Sequence, residues 1–199
     1  MLVIALTGGI GAGKSSAGSL LARLGAIHIS ADQLAREVLE RGEEGYNQVL
    51  AHFGDQILVN GAIDRKLLAE IVFRDSDKRS ELEKITHPLI QQRFKQIRNS
   101  LPPDSVVVYE IPLLAESADR ISDFDLILTI ETEAEVRISR MAERGFDRQH
   151  VQDRMASQTS DANRRAIAHH VIENNGDRDA LLRSLEQWWV NFITPRITD

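Results

Sequence analysis

Cysteine is absent from the 199-residue chain, which removes disulfide bridges, thiolate metal sites and a cysteine nucleophile from its chemistry and fits a reducing compartment. Positive charge is not in excess either: 24 Lys and Arg stand against 30 Asp and Glu, a formal net charge of −6. A nucleic-acid or anionic-membrane partner needs a broad basic face, so any basic cluster here should serve a small anion. No apolar run approaches the length of a membrane span. The short run Leu2–Leu6 lacks a basic n-region and does not lead into a cleavage site. There is no internal repeat and no low-complexity segment. The expectation is a soluble cytoplasmic protein with no nucleic-acid or membrane partner, long enough for one α/β domain that carries an insertion.

What is present begins at once. Leu2-Val3-Ile4-Ala5-Leu6 runs into Thr7-Gly8-Gly9-Ile10-Gly11-Ala12-Gly13-Lys14-Ser15-Ser16, an apolar strand emptying into G-x-x-x-x-G-K-S. Glycines let such a loop curl so that its amides point inward at phosphate oxygens. A lysine at this position reaches the β- and γ-phosphates, the following hydroxyl is placed for Mg²⁺, and the helix that starts there adds its positive end. The candidate nucleotide-binding residues are therefore Gly8, Gly11, Ala12, Gly13, Lys14, Ser15 and Ser16, with Ser15 also the candidate metal ligand.

Strand-like runs recur at Leu2–Leu6, Ile27–Ile29, Val106–Ile111, Leu126–Ile130 and Val171–Ile172, with helix-length segments between them. That alternation predicts a parallel sheet with helices on both faces. The first helix should run from Lys14 to about Leu24, and the last, from about Asp179 to Ile193, should bury Trp188 and Trp189. The interval between the second and third strands is too long for a single crossover helix. From about Glu44 to Leu101 the pattern is helical, with segments Tyr46–Phe53, Arg65–Phe73, Arg79–Ile85 and Leu89–Ile97 punctuated by Gly54, Gly61 and His87-Pro88. A second interruption, Glu133 to about Ala166, is helical, rich in arginine and free of lysine.

Four constellations can carry chemistry. Asp32 follows the second strand, on the sheet edge where α/β enzymes place ligands; it is read either as a general base or as a first-turn acid of a helix capped by Ser30 and Gln33. Arg137, Arg140 and Arg144 fall at i, i+3 and i+7 on one helical face, either as a phosphate-gripping lid or as a solvated face paired with Glu133, Glu143 and Asp147. Glu110 ends an apolar strand, as acids that steady Mg²⁺ in phosphate-loop proteins do. Asn174-Asn175-Gly176 ends the last strand in a turn on the nucleotide side. A GTPase would need D-x-x-G and N-K-x-D, which do not occur, and the spacing of Gly9, Gly11 and Gly13 does not make a dinucleotide-binding G-x-G-x-x-G. Two readings stay open on the residues alone: a small-molecule kinase, with its acceptor undecided, and a non-enzymatic ATP-binding switch.

In their order the motifs resemble the dephospho-CoA kinase family. The residues that carry the resemblance are Leu6-Thr7-Gly8-Gly9-Ile10-Gly11 leading into Gly13-Lys14-Ser15, Ala31-Asp32 with Ala35-Arg36-Glu37-Val38, and Gly61-Ala62-Ile63-Asp64-Arg65. The match continues through Ile71-Val72-Phe73, His87-Pro88, Ile111-Pro112-Leu113-Leu114-Ala115-Glu116, Arg140 with Arg144, and Ile172-Glu173-Asn174-Asn175-Gly176. The resemblance implies a P-loop kinase fold: a five-stranded parallel sheet flanked by helices. Its core would cover about 1–43, 102–132 and 167–199, with a helical CoA-binding insert at 44–101 and an arginine-rich lid at 133–166. It implies Mg²⁺-dependent transfer of the ATP γ-phosphoryl group to the ribose 3′-hydroxyl of dephospho-CoA. By that resemblance Asp32 is the base, Lys14 and Arg140 act on the phosphates, and Arg144 and Asn175 join the ATP site. Two places depart from the family pattern: members commonly carry an acid where Ser30 stands, and acids where His169 and His170 stand.

The phosphate loop gives the first testable outcome. Lys14→Ala should abolish phosphoryl transfer while leaving the thermal melt close to wild type, because Lys14 supplies charge to the phosphates and little to the core; normal turnover in the purified variant would dismiss the assignment.

Overall fold

In the computed structural model, which describes residues 1–116 and 118–198, the chain divides into two compact units, residues 1–30 with 102–199, and residues 31–101. The first unit opens with strand β1 (Leu2–Gly8), helix α1 (Lys14–Arg23) and strand β2 (Ile27–Ser30). The second holds α2 (Ala31–Glu37), α3 (Glu44–Phe53), two short strands β3 (Leu58–Val59) and β4 (Ala62–Ile63), α4 (Arg65–Arg74) and α5 (Ser76–Ser100). The chain then returns to the first unit with β5 (Val106–Glu110), β6 (Leu126–Glu131), α6 (Ala134–Glu143), α7 (Arg148–Ala156), α8 (Asp161–Ile167), β7 (His170–Glu173) and α9 (Arg178–Trp188). A π-helical turn, Trp189–Ile193, and the short helix α10 (Thr194–Thr198) follow. No helix among the described residues is long and apolar enough to cross a membrane.

The expected sheet forms, with order β2-β5-β1-β6-β7 and every pairing parallel. β1 lies at its centre, Leu6 aligned with Glu110 on one side and Leu128 on the other. Strands buried on both faces read as continuous apolar runs, and all residues of β5 and β6 are buried. Ile4, Leu6, Leu20, Leu21, Leu128, Leu185, Trp188 and Trp189 belong to one core cluster, which places the tryptophan pair in the packing. Since all five strands point the same way, their last residues, Gly8, Ser30, Glu110, Glu131 and Glu173, share one edge of the sheet.

The 31–101 unit has its own core of Val49, Phe53, Ile57 and Leu68, with Leu82 and Ile85 packed against it. The Asp64 side chain caps α4 by accepting from the amides of Lys66 and Leu67, and Asp75 does the same for α5. β3 and β4 form a hairpin through Asn60 and Gly61, at φ 53° and 75°, the pair of left-handed residues that a type I′ turn requires. The break expected at His87-Pro88 is absent, because α5 runs unbroken from Ser76 to Ser100 with Pro88 inside it. A proline there removes one helical hydrogen bond and crowds the carbonyl four residues back. Burial on both sides offsets that local penalty: Leu82 and Ile85 reach the unit's core before it and Phe94 is buried after it.

In the first unit α8 is fastened to the end of β6 by charge. Arg164 Nε and Nη2 donate to the two oxygens of Glu131 at 2.9 and 3.0 Å, and the side chains are 3% and 1% exposed. Thr129 Oγ1 donates to the same carboxylate at 2.7 Å. Removing one partner leaves a buried guanidinium short of an acceptor, so Glu131→Gln should lower unfolding free energy by about 3 kcal/mol in urea titration. A loss below about 1 kcal/mol would mean that Arg164 is adequately neutralised without Glu131.

Candidate active site

The loop between β1 and α1 lies at the strand-end edge, where open α/β sheets bind ligands. Gly13, at φ 96°, turns the chain into α1 through the left-handed region, a conformation that side chains strain. The loop is tied from outside. The Ala12 carbonyl accepts from Asn174 Nδ2 at 2.8 Å and from Thr132 Oγ1 at 3.1 Å, and the Ile10 amide donates to Gln158 Oε1 at 2.9 Å. Lys14 Nζ donates to the Gly8 and Gly9 carbonyls at 2.9 and 3.0 Å, which holds its ammonium over the loop. Ser16 follows on α1, half-buried.

Ser15 Oγ donates to Glu110 Oε1 at 2.8 Å, and the other oxygen of Glu110 faces His28 Nε2 at 3.0 Å. Glu110 is 5% exposed. Burial alone would raise its pKa, but hydrogen bonds from His28 and Ser15 and the charges of His28 and Lys14 outweigh it, holding the carboxyl below its ordinary range. Among the described residues no group of three or more His, Asp or Glu is placed to hold a metal ion. A cation beside Ser15 would therefore take most of its ligands from water and phosphate, as Mg²⁺ does. The donors offered here are hard oxygens, and the Ser15 hydroxyl, with its proton engaged by Glu110, keeps lone pairs for a cation; the residues fit that ion.

The arginines do not share one environment. Arg137 is 5% exposed and turns inward: a Cβ at Gly9 would run into its guanidinium and come within 3.2 Å of Arg164 Nη2. Gly9 is not among the positive-φ glycines, so it leaves room for these two side chains. Asp161 links them, accepting from Arg137 Nη2 at 3.3 Å and from Arg164. Arg137 Nε is buried without a hydrogen-bond partner. Arg140, one turn further along α6, donates to the carbonyls of Asn174 and Gly176 at 2.8 and 2.6 Å, while Arg144 stands exposed at the C-terminal end of that helix. Asn175 Oδ1 accepts from the Glu133 amide at 2.8 Å, so α6 and the turn after β7 are joined at two points. Glu116, from the Pro112–Glu116 motif, accepts from the Thr159 amide at 3.0 Å.

Asp32 opens α2, exposed and in the first turn, in the other unit. Reading the sequence missed His28 and Gln158 as neighbours of the loop, and it set Arg140 and Arg144 at the phosphates without giving Arg137 a place of its own. The available signals were a second glycine at Gly9 and a helix-interior glycine at Gly18.

The model of the dephospho-CoA kinase family matches residues 2–179. A dephospho-CoA kinase of Frankia casuarinae is 39% identical, over 98% of this chain and 86% of its own length. One from Mycobacterium tuberculosis is 40% identical over 98% of this chain, which spans only 48% of that longer protein. Among solved structures, one from Thermus thermophilus superposes with a TM-score of 0.81 at 30% identity, covering 96% and 97% of the two chains. Dephospho-CoA kinase from Campylobacter jejuni, at 24% identity and a TM-score of 0.73 over 98% of both chains, shares the fold. A family model that covers most of the sequence, on a fold shared with those structures, leaves one conclusion: the chain belongs to the dephospho-CoA kinase family, kinases that transfer phosphate to a hydroxyl group.

Proposed function

We propose that this protein transfers the γ-phosphoryl group of ATP to the ribose 3′-hydroxyl of dephospho-CoA, giving coenzyme A and ADP, and that it works in the cytoplasm. The observation that carries the reading is the Gly8–Ser15 loop, with Ser15 held by Glu110, in a chain that matches the family model from residue 2 to residue 179. Family membership favours dephospho-CoA over the other hydroxyl acceptors and over a non-enzymatic switch.

The loop amides and the N-terminal end of α1 face the ATP phosphates, and Lys14 exchanges the Gly8 and Gly9 carbonyls for phosphate oxygens. Gly8, Gly11, Ala12, Gly13 and Ser16 shape that cradle. Ser15 holds Mg²⁺, which when bound neutralises charge on the β- and γ-phosphates. Asp32, two residues beyond the end of β2, accepts the proton of the acceptor hydroxyl as its oxygen bonds to the γ-phosphorus. The bond from that phosphorus to the bridging oxygen breaks, and ADP leaves with the electron pair. Arg140 steadies the turn of Asn174, Asn175 and Gly176 on the nucleotide side and supplies charge to the transferring group, with Arg144 available at the rim. The helices of 133–166 act as the lid and the 31–101 unit carries the acceptor.

ADP release across a panel of dephospho-CoA, pantothenate, shikimate, gluconate and adenosine should be fast with dephospho-CoA alone; a higher kcat/KM for another acceptor would overturn the substrate assignment. As a general base Asp32 should contribute about 10²–10⁴-fold to the chemical step. Asp32→Asn, which keeps the size and still suits a helix start, should depress single-turnover transfer by that factor while the Kd for ATP changes little. Transfer within a few-fold of wild type would remove Asp32 from the chemistry.

A further inference from the structure

We infer that His28 is a positioning residue for the metal-binding hydroxyl, acting on Ser15 through Glu110; the inference rests on the reading of Ser15 as the Mg²⁺ ligand. Two oxygens of one buried carboxylate divide the work, Oε1 accepting from Ser15 Oγ at 2.8 Å and Oε2 meeting His28 Nε2 at 3.0 Å. An ionised carboxylate can only accept, so Nε2 carries the proton and donates. With both oxygens engaged, rotation about the last bond of Glu110 would break two hydrogen bonds, and the carboxylate is fixed. A fixed acceptor dictates where the Ser15 hydroxyl proton points, and hence which way its lone pairs face.

The packing of α1 shows that the ring has been given its place. Gly18 lies in the interior of α1, where glycine in place of alanine weakens the helix. A Cβ there would run into the His28 ring at Nε2, Cε1 and Cδ2. The helix thus gives up a side chain at the point where the imidazole passes beneath it on its way to Glu110. His28 aligns with Val108 in the β2–β5 pairing, and Ser30 with Glu110, so an apolar β-branched residue at 28 would suit the strand and its neighbour. What such a residue would lack is the donor. Ring packing alone accounts for the space at Gly18 but not for an Nε2 directed at a buried carboxylate.

Partners one step removed from a metal ligand change metal affinity by about 10–100-fold when lost, and His28 stands one step beyond Glu110, so the low end of that range applies to it. The test is the apparent Kd for Mg²⁺ of the full-length protein saturated with ADP, set beside the Kd for ADP in EDTA. His28→Leu keeps the bulk and removes the donor; it should weaken Mg²⁺ by about tenfold and leave metal-free ADP binding unchanged. His28→Gln, whose amide can donate to Glu110, should recover most of the loss. Ser15→Ala should weaken Mg²⁺ at least as much as His28→Leu. If Ser15→Ala weakens Mg²⁺ while His28→Leu does not, the role of His28 is refuted and the metal reading stands; if Ser15→Ala leaves Mg²⁺ affinity intact, the metal reading itself falls. Equal weakening of ADP with and without Mg²⁺ in His28→Leu would reduce His28 to packing and overturn the inference. Should His28→Leu fail to fold, His28→Asn, with an amide too short to reach Glu110, is measured in its place against the same outcomes.

Discussion

A phosphate loop must hold a row of backbone amides open toward a polyanion and still keep its shape when no anion is there. The carbonyls on its other side provide the means. Asn174 and Thr132 donate to the carbonyl of Ala12 from the ends of β7 and β6, and Lys14 donates to those of Gly8 and Gly9 from within. The strand order makes this possible. Because β6 and β7 lie beside β1 in parallel register, the residues that follow them emerge next to the residues that follow β1. A loop satisfied in this way needs little rearrangement to receive phosphate, and preorganised donors of this kind are worth most where water is excluded.

The same edge collects charge that would be costly elsewhere in the interior. Glu110, Glu131, Arg137 and Arg164 are all at most 5% exposed. Burying ions costs several kcal/mol each unless geometry and hydrogen bonds return it, so a fold that places four of them around one loop must pair them well. Glu131 receives Arg164 at two atoms and Thr129 at a third, while Glu110 is divided between Ser15 and His28. Arg137 is the exception, with Nε left without a partner. Its guanidinium is held by Asp161 and by its contact with Gly9, which makes the room at Gly9 a condition of the arrangement. A methyl group there would displace two charged side chains at once.

Much of the fold could be read from periodicity, since strands buried on two faces and helices buried on one write different patterns. The five strands and the phosphate loop were legible for that reason. Pro88 was not, because the tertiary packing of Leu82, Ile85 and Phe94 that sustains α5 through it leaves no local mark. The hairpin through Asn60-Gly61 had a local mark in that dipeptide, masked by strands of two residues each. For the site, spacing placed Arg137 and Arg140 on one helical face, and the two nevertheless serve different partners, Arg137 at Gly9 and Arg140 at the turn after β7. Helical spacing tells which residues are neighbours along a surface; it does not tell where the other elements touch that surface. The pairing of Glu110 with Ser15 and His28 spans 95 and 82 residues, a separation no local pattern reports.

The preference for arginine over lysine in 133–166 has a structural reason. Arg140 reaches two carbonyls, Asn174 and Gly176, and Arg164 serves the two oxygens of Glu131, the Thr159 carbonyl and Asp161. A planar fork with five donors in fixed directions can satisfy such sets at one time, and its shape then fixes the elements it joins. An ammonium group carries the same charge with three rotatable donors and would hold neither the turn after β7 nor the start of α8 in a defined orientation. In this segment the guanidinium groups act as joints between α6, α8 and the sheet edge as much as they act as charges. Because Arg137 and Arg164 also stand against Gly9, the helices that carry them are held to the Gly8–Ser15 loop as well as to the sheet edge.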